Sequence, residues 1–244
     1  MSENADSIAI KEKRGRIFDI DKIELHEREA GRFAHGLNFY KLFWIFFIGS
    51  FLGVVVEAFW CIVTLHRYES RVGLIYGPFN LVYGLGALAI AVGLYRLRKK
   101  NDIYIFLGGV IIGSAVEYIC SLVQELMFGS VSWDYSQLPF NLYGRITLLY
   151  SLFWGLLAII WTRLIYPMIC ALIMNIPNRI GKALTFILLA FMIFNTVMSA
   201  LAVNRWNMRI NGRGDEISAV WEYFDAHYPD ERMSRIYANM RFRQ

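Results

Sequence analysis

Hydrophobic residues along this chain fall into long runs that are separated by short polar breaks. The runs cover residues 43–65, 74–95, 103–123, 146–166 and 184–203. Each is close to the ~20 residues that cross a bilayer core as a helix. Runs of this length exclude the short alternating strands of a membrane β-barrel. We predict an all-α, polytopic integral membrane protein with about five transmembrane helices.

Two parts of the chain follow the same plan, about 60 residues apart. The positions that match in register are Gly49, Gly53, Val56, Glu57 and Val63 with Gly109, Gly113, Val116, Glu117 and Val123. After a slip of one residue, 78–81 and 139–142 both read Pro-Phe-Asn-Leu. Self-similarity at a fixed offset indicates a duplicated element. We predict two tandem helix pairs in the same orientation, related by a pseudo-twofold axis along the membrane normal.

Each repeat places one carboxylate inside an apolar run. Gly49, Gly53 and Glu57 are spaced four residues apart and therefore share one helix face. Small residues at this spacing mark a face that another helix approaches closely, so we expect Glu57 and the matching Glu117 to face protein. An ionisable residue at membrane depth costs about 2.5–3.5 kcal/mol. Two hypotheses explain the pair, namely a site for a cation, proton or polar solute, or a lock for helix packing.

Several polar residues near the same end of these runs are further candidates for a substrate-binding site. The nearest charges are Arg71, Asp134 and Arg145, which can pair with the glutamates or bind an anionic group. The alternative for each is an interfacial salt bridge or a snorkelling side chain. Asn80 and Asn141 follow Pro-Phe and are helix-capping groups, solute ligands or both. The interpretation of Trp60, Trp133 and Tyr135 is that they are interfacial aromatics.

Charge distribution predicts how the chain lies in the membrane. Arg96, Arg98, Lys99 and Lys100 form the densest cationic cluster beside a predicted span. By the positive-inside rule this loop is cytoplasmic, so we expect a multi-pass protein of the cell membrane with a cytoplasmic amino terminus. Pro167 opens a short apolar piece that we expect to be interfacial or re-entrant. A sixth span built from that piece is the alternative, and it would move the carboxyl-terminal tail to the other side.

These predictions divide the chain into five segments. They are a polar cytoplasmic or interfacial segment (1–41), a first helix-pair repeat (42–101), a second repeat (102–166), an interfacial helix with a final span (167–203) and an aromatic-rich tail domain (204–244). The tail keeps too many aromatic residues to be disordered. We expect it to form a small helical cap against the outer membrane face.

Composition narrows the function classes. The chain is 57% hydrophobic with a mean hydropathy of +0.40, and its net charge of +5 is a topology signal rather than a nucleic-acid footprint. Three isolated cysteines, Cys61, Cys120 and Cys170, indicate neither a disulfide framework nor a metal site. The sequence carries no GxxxxGK[ST], HExxH or GxSxG motif. We expect no catalytic residues, cofactor or metal. A lipid-directed intramembrane enzyme that uses Glu117, Asp134 and Arg145 is the weakest of the hypotheses.

Longer motifs resemble a known bacterial family of integral membrane proteins. The stretches that carry the resemblance are LIYGPFNLVYGLGAL, VSWDYSQLPFNLYGRI, TVMSALAVNR and YPDERMSRIYANMRF. They are similar to the family named Putative ABC-transporter type IV, also called CmpB-type permeases. The resemblance implies a multi-spanning, permease-like protein. By motif, the positions it marks are Glu57, Gly77, Pro78, Asn80, Glu117, Trp133, Asp134, Pro139, Asn141, Gly144 and Arg145.

The leading hypothesis for function is the transmembrane subunit of a small-solute or ion transporter, with a paired-glutamate site between the repeats. Its partners are then the lipid bilayer, the solute or ion, and either a separate ATPase subunit or further copies of the chain. Nucleic acid is not an expected partner. The alternative is a non-transporting scaffold or regulatory subunit, in which the glutamates only fix helix packing.

Overall fold

The computed structural model describes residues 20–216 and 218–243. Its helices are α1 (Ile20–Glu29), α2 (Phe39–Leu65), α3 (Leu81–Gly93), α4 (Asp102–Phe128), α5 (Leu148–Ile160), α6 (Tyr166–Met174), α7 (Asn178–Ile210), α8 (Ala219–His227) and α9 (Asp230–Ile236). Two-residue strands β1 (Ser130–Val131), β2 (Asn141–Leu142), β3 (Ile146–Thr147) and β4 (Arg241–Phe242) form two antiparallel pairs, β1 with β4 and β2 with β3. Residues 1–19 of the predicted amino-terminal segment lie outside the described residues.

The prediction of an all-α polytopic membrane protein is confirmed. In the described chain, four helices are long and apolar enough to cross a membrane, namely α2, α4, the continuous helix Leu148–Met174 and α7. The predicted run 74–95 contributes only the shorter apolar helix α3. Residues 74–80 precede it as non-helical backbone. Pro78 and Asn80 lie in this non-helical stretch, and α3 begins directly after the Pro-Phe-Asn motif.

Polar side chains of α7 support the non-helical backbone before α3. Asn195 is fully buried, and its amide bonds both backbone groups of Tyr76, accepting from N at 3.1 Å and donating to O at 2.7 Å. Ser199 accepts a hydrogen bond from the backbone N–H of Ile75 at 2.9 Å. Irregular backbone at membrane depth persists where protein groups satisfy its polar atoms. The non-helical backbone before α3 is thus stabilised by hydrogen bonds from α7.

The prediction that residues 167–177 form a separate interfacial or re-entrant helix is wrong. The helix that begins at Leu148 continues to Met174 through a π-helical turn at Trp161–Ile165. Pro167 lies in the first turn of α6, directly after that turn. Proline lacks an N–H and its ring crowds the preceding turn. The π-helical turn has a different hydrogen-bond pattern from an α-helix. It lies where Pro167 would otherwise lose a hydrogen bond and crowd the preceding turn, so the helix continues beyond proline.

Glycines bring α2 and α3 into close contact. A Cβ atom at Gly49 would meet the Cβ of Ala87 and would lie 3.5 Å from the carbonyl O of Tyr83. At Gly53 it would overlap the Tyr83 side chain. The small-residue face predicted for this helix therefore packs directly against the backbone of its neighbour.

Helices α4 and α5 approach each other in the same way. A Cβ at Gly109 would meet Ala158 and lie 3.0 Å from the carbonyl O of Trp154, and at Gly113 it would overlap the Trp154 ring. The partner positions read Tyr-Gly-Leu-Gly-Ala at 83–87 and Trp-Gly-Leu-Leu-Ala at 154–158. Both helix pairs thus use glycines four residues apart against an aromatic residue and an alanine.

One end of the bundle, which we call the amino-terminal face, is closed by ion pairs from α1. Glu24 pairs with Arg98 after α3, and Glu27 pairs with Lys41 in the first turn of α2. All four side chains are nearly or fully buried. Removing one member would leave a buried charge without its partner, which is strongly destabilising. These pairs dock α1 against the spanning helices.

The opposite end carries the carboxyl-terminal residues, which pack as a cap of α8, α9 and β4. The Tyr228 hydroxyl donates to the Tyr76 hydroxyl at 2.8 Å, and Ser70 Oγ donates to the carbonyl O of Ile236 at 2.7 Å. The apolar core of the cap consists of Ala202, Val203, Trp206, Phe224, Tyr228, Met233 and Tyr237. The cap therefore covers the links that follow α2 and α4.

Candidate functional site

Glu117 is buried between two helices and a loop. Glycines at 109 and 113 let α5 lie close to α4, and this brings Trp154 beside the carboxylate. Trp154 Nε1 donates to Glu117 Oε2 at 2.9 Å, and the Tyr135 hydroxyl donates to Oε1 at 2.9 Å. Both carboxylate oxygens thus have a donor, which offsets the cost of burial.

Glu57 occupies the matching position on α2 but is less enclosed. Its side chain keeps 29% of its surface exposed, and its Oε1 lies 3.6 Å from Arg71 Nε. Arg71 also contacts Cys61 Sγ at 3.1 Å and Glu69 Oε2 at 3.6 Å. A guanidinium shared among three partners at these distances holds none of them in a bidentate pair. Glu57 is therefore the more available of the two carboxylates.

Tyr135 lies within the electrostatic reach of both glutamates. Burial raises the pKa of Tyr135 well above its usual value of 10, and the Glu117 carboxylate adds to the shift. Glu57 contributes to the same rise in the pKa of Tyr135. Of the two glutamates, Glu117 is the one that the phenol contacts directly, through the hydrogen bond from its hydroxyl. Tyr135 also stacks on Tyr150, with ring centroids 4.8 Å apart.

Arg145 pairs with a different carboxylate from the one expected. Its guanidinium lies 2.5 Å from Glu125 Oε2 and donates to Ser121 Oγ at 3.2 Å. Glu125 also accepts from Arg243 of the cap at 2.7 Å. Ser121 and Glu125 follow Glu117 by four and eight residues, so all three share one face of α4. A polar strip thus runs along α4 from Glu117 to the cap.

The two asparagines have different structural roles. Asn80 caps α3, because its side chain accepts from the N–H of Val82 at 3.0 Å and donates to the carbonyl O of Arg71 at 3.1 Å. Asn141 instead stabilises the β2–β3 turn by accepting from the N–H of Gly144 at 3.0 Å. The helix after this second Pro-Phe-Asn begins only at Leu148.

Asp134 lies in the exposed part of the loop after β1. Its carboxylate accepts from Ser136 Oγ at 2.6 Å and from Ser136 N at 2.9 Å. These hydrogen bonds lower the pKa of Asp134 below its ordinary value of 3.8. Neither Glu117 nor Arg145 is among the hydrogen-bond partners of Asp134 in the described chain. The three residues of the enzyme hypothesis are therefore not joined through hydrogen bonds of Asp134 within the described residues.

The structure therefore brings some of the predicted site residues together and separates others. Glu57 lies beside Arg71, whose carbonyl O accepts a hydrogen bond from Asn80, while Glu117 is bonded separately by Tyr135. Arg145, Asp134 and Asn141 belong to the polar strip and to loop turns. Sequence reasoning did not identify Trp154 or Glu125 as site residues. Two features of the sequence could have identified them. Residues 154–158 match 83–87, which points to Trp154, and Glu125 follows Glu117 by eight residues, which places both on one helix face.

The family model described as Putative ABC-transporter type IV matches residues 44–200. The chain belongs to this family. All seven candidate site residues fall within the matched region, whereas α1 and the cap helices α8 and α9 fall outside it. No curated protein and no solved structure matches the chain. The family is transporter-type, so this is a transporter-related membrane protein.

Proposed function

We propose that the protein is the permease-like transmembrane subunit of a small-solute or ion transporter, and that Glu57 and Glu117 are its polar site. The observation that carries the proposal is the partial exposure of Glu57, an ionisable residue on an apolar helix whose Oε1 lies no closer than 3.6 Å to Arg71 Nε. An ionisable residue inside a membrane protein is a functional candidate by default. Two of them at matching positions of neighbouring helix pairs make the apolar bundle a candidate for such a site.

The two carboxylates have different roles in this proposal. Glu117 is saturated by Trp154 and Tyr135, so it positions the phenol. Glu57 is partly exposed and its contact with Arg71 is long. A proton or a cationic group of a solute can therefore compete with Arg71 for Glu57. In this proposal the solute contacts the first helix pair, and the second helix pair holds Tyr135 in position.

The proposal includes a duplication of the helix pair. In support, the glycine pairs of α2 and α4 meet aromatic and alanine partners in the same order. The second copy is about ten residues longer between its Pro-Phe-Asn and the packing aromatic residue. The β2–β3 hairpin occupies this extra length. Two copies related by an axis along the membrane normal put their carboxylates on opposite sides of a shared centre.

Orientation and partners follow from charge. We assign the amino-terminal face to the cytoplasm of a bacterial cell and the cap to the outer side, because the cationic cluster at 96–100 lies on the amino-terminal face. The chain has no phosphate-binding loop of its own. Transport then draws energy from a separate ATPase subunit, or from an ion gradient when copies of the chain assemble without one.

A membrane scaffold is the second candidate, and the environment of Glu117 favours it. Glu117 is 7% exposed and both of its carboxylate oxygens are hydrogen-bonded, as expected of a group that locks α4 to α5. In that case the carboxylates never contact a solute. The two candidate functions predict different results for substitution of Glu57, because Glu57 is not enclosed as Glu117 is.

A thermal-shift screen of the purified protein in detergent tests the proposal. The probes are sodium, potassium and ammonium chlorides, spermidine, glycine betaine and choline at several pH values, with wild type, Glu57→Gln, Glu117→Gln and the exposed control Arg96→Gln. A ligand that binds only the folded state raises the melting temperature. We expect a probe that stabilises wild type and Arg96→Gln but not Glu57→Gln.

The scaffold candidate gives a different pattern in the same screen. Both glutamine variants would melt at lower temperature than wild type and recover less of a co-purified partner, with no dependence on any probe. A probe that stabilises Glu57→Gln and Glu117→Gln as much as wild type would show that the carboxylates are not the binding site.

A further inference from the structure

A groove on the amino-terminal face is lined by cationic side chains. Two adjoining cavities of about 390 and 370 Å³ share Arg28, His35 and Asn38. The second cavity is also lined by Arg32 and by Lys182 of α7. We call the surface formed by Arg28, Arg32, His35 and Lys182 the basic groove. It lies between the loop that follows α1 and the beginning of α7.

The buried acidic side chains of α1 do not neutralise this groove. Glu24 and Glu27 are the buried acids of α1, and they pair with Arg98 and Lys41. Within residues 20–216 and 218–243, the side chains of Arg28, Arg32 and Lys182 form no ion pair. Three cationic side chains thus converge while the buried acids beside them are already occupied.

One donor in the groove is buried without a partner. Arg32 Nε has no hydrogen bond in the described structure although it is shielded from solvent. Buried polar groups in folded proteins are nearly always hydrogen-bonded, so an unpaired one indicates a missing partner. Helix α7 begins beside the groove, where Asn178 bonds Phe33 N at 3.0 Å and the carbonyl O of Gly31 at 2.9 Å. The positive end of its dipole adds to the attraction for an anion.

An apolar surface continues from the groove along the helices. Tyr40 lines the groove, and its ring lies 6.2 Å from that of Phe186 on α7. Phe39 and Phe186 are about half exposed, and Ile180 and Ile187 of the same helix are also exposed. An anion-binding groove at the end of two spans, continuous with apolar surface, fits a molecule with an anionic head and acyl chains. Basic pockets of this kind between spanning helices bind lipid headgroups.

We propose that the basic groove binds the phosphate group of an anionic phospholipid from the leaflet on this face. Arg32 and Lys182 contact the phosphate from two different elements, and the acyl chains lie along Phe39 and Phe186. The lipid then bridges the loop after α1 to α7, in addition to the asparagine contacts. Free phosphate offers anionic oxygens of the same kind but lacks the chains, so it should bind more weakly.

Thermal-shift titration in detergent distinguishes binding of the anionic phospholipid from binding of free phosphate. The probes are dioctanoyl phosphatidylglycerol, dioctanoyl phosphatidylcholine and inorganic phosphate, each added to wild type, to the Arg32→Gln, Lys182→Gln double variant and to the control Arg96→Gln, Lys100→Gln. The control removes the same charge from exposed positions on the same face. We expect phosphatidylglycerol to stabilise wild type and control, with affinity reduced about tenfold or more in the groove variant.

Three results would overturn the proposal. They are equal stabilisation of the groove variant and the control by phosphatidylglycerol, equal stabilisation of wild type by phosphatidylcholine, and stabilisation by inorganic phosphate that matches the lipid. If the double variant does not fold, Lys182→Gln alone takes its place, because Lys182 is exposed and its loss removes no buried contact. Native mass spectrometry of wild type gives an independent measurement, in which retention of phosphatidylglycerol must exceed that of phosphatidylcholine.

Discussion

Trp154 has two structural roles at the residue scale, because its ring covers Gly113 and its indole N–H bonds Glu117. Trp154→Phe keeps an aromatic ring but removes the donor to a buried carboxylate oxygen. Leaving such an acceptor unpaired costs about 1–3 kcal/mol. We expect a lower free energy of unfolding in detergent for Trp154→Phe. The control Trp60→Phe changes a side chain that is 55% exposed and should leave stability unchanged. Equal stability of the two variants would contradict the hydrogen bond.

The sequence identified Glu57 and Glu117 as equivalent positions, but it could not show that their environments differ. Charge and spacing depend only on the chain, whereas hydrogen-bond partners depend on where distant segments meet. Tyr135 reaches Glu117 from 18 residues away and Trp154 from 37 residues away. For the same reason Arg145 was expected near the paired glutamates, although it lies beside Glu125, eight residues beyond Glu117 on the same helix face.

At the scale of elements, close packing within the helix pairs predicts intolerance to any side chain at the glycines. Gly109→Ala would push α4 away from the Trp154 backbone, 3.0 Å from the added atom, and overpacking of this kind costs about 1–3 kcal/mol. We expect lower thermal stability, and the same direction for Gly49→Ala in the other pair. Gly214→Ala is the control, since its nearest neighbour would be a side-chain atom 3.6 Å away. Unchanged melting of Gly109→Ala would show that the pairs are not packed as described.

The cap depends on Asp225, which bonds Arg205 and Arg209 of α7. The hydrogen bond from Arg205 is the largest effect that holds the pKa of Asp225 below its ordinary value of 3.8. A carboxyl whose pKa is lower in the folded chain stabilises the fold above the unfolded value and loses that contribution as pH falls through the folded pKa. We therefore expect Asp225→Asn to melt below wild type at pH 7.

The difference between Asp225→Asn and wild type should begin to shrink below about pH 4, near the unfolded pKa, and should decrease further as pH falls through the folded pKa. Melting temperatures of both proteins from pH 3 to pH 7 provide the measurement. Glu222→Gln, a change at a neighbouring exposed acid of α8, serves as the control and should follow wild type. A constant gap between Asp225→Asn and wild type at every pH would contradict the ionic origin of the contact.

Hydrophobic runs predicted the location of the membrane helices well, because run length and helix length are tied by the thickness of a bilayer. They failed at Pro167, where proline was expected to separate a short interfacial helix. The π-helical turn before it kept the helix continuous to Met174. A bulge of this kind depends on packing around the turn and has no simple signature in composition. The break at Pro78 was predictable because Asn80 supplied a cap.

Across the whole molecule, the chain has a basic amino-terminal face, an apolar middle that holds two carboxylates, and an aromatic cap at the other end. The family match supports a transporter-related protein. Composition and run length were enough to predict the membrane class. They could not predict the basic groove, because its cations come from α1, the following loop and α7, which are about 150 residues apart along the chain.

The central claim is that Glu57 faces a water-accessible site inside the bundle and does not only pack helices. Glu57→Cys, in a background with Cys61, Cys120 and Cys170 changed to alanine, can be tested with the membrane-impermeant thiol reagent MTSET applied to both sides of the membrane. Thiols react as thiolates, which form in water and not in lipid. The control is Val56→Cys, an apolar position of the same helix that is 63% exposed and that we expect to face lipid.

We predict that MTSET reacts with Glu57→Cys faster than with Val56→Cys by a factor of at least about ten. Reaction of the two variants at the same slow rate would contradict a solute site at Glu57 and would favour the scaffold.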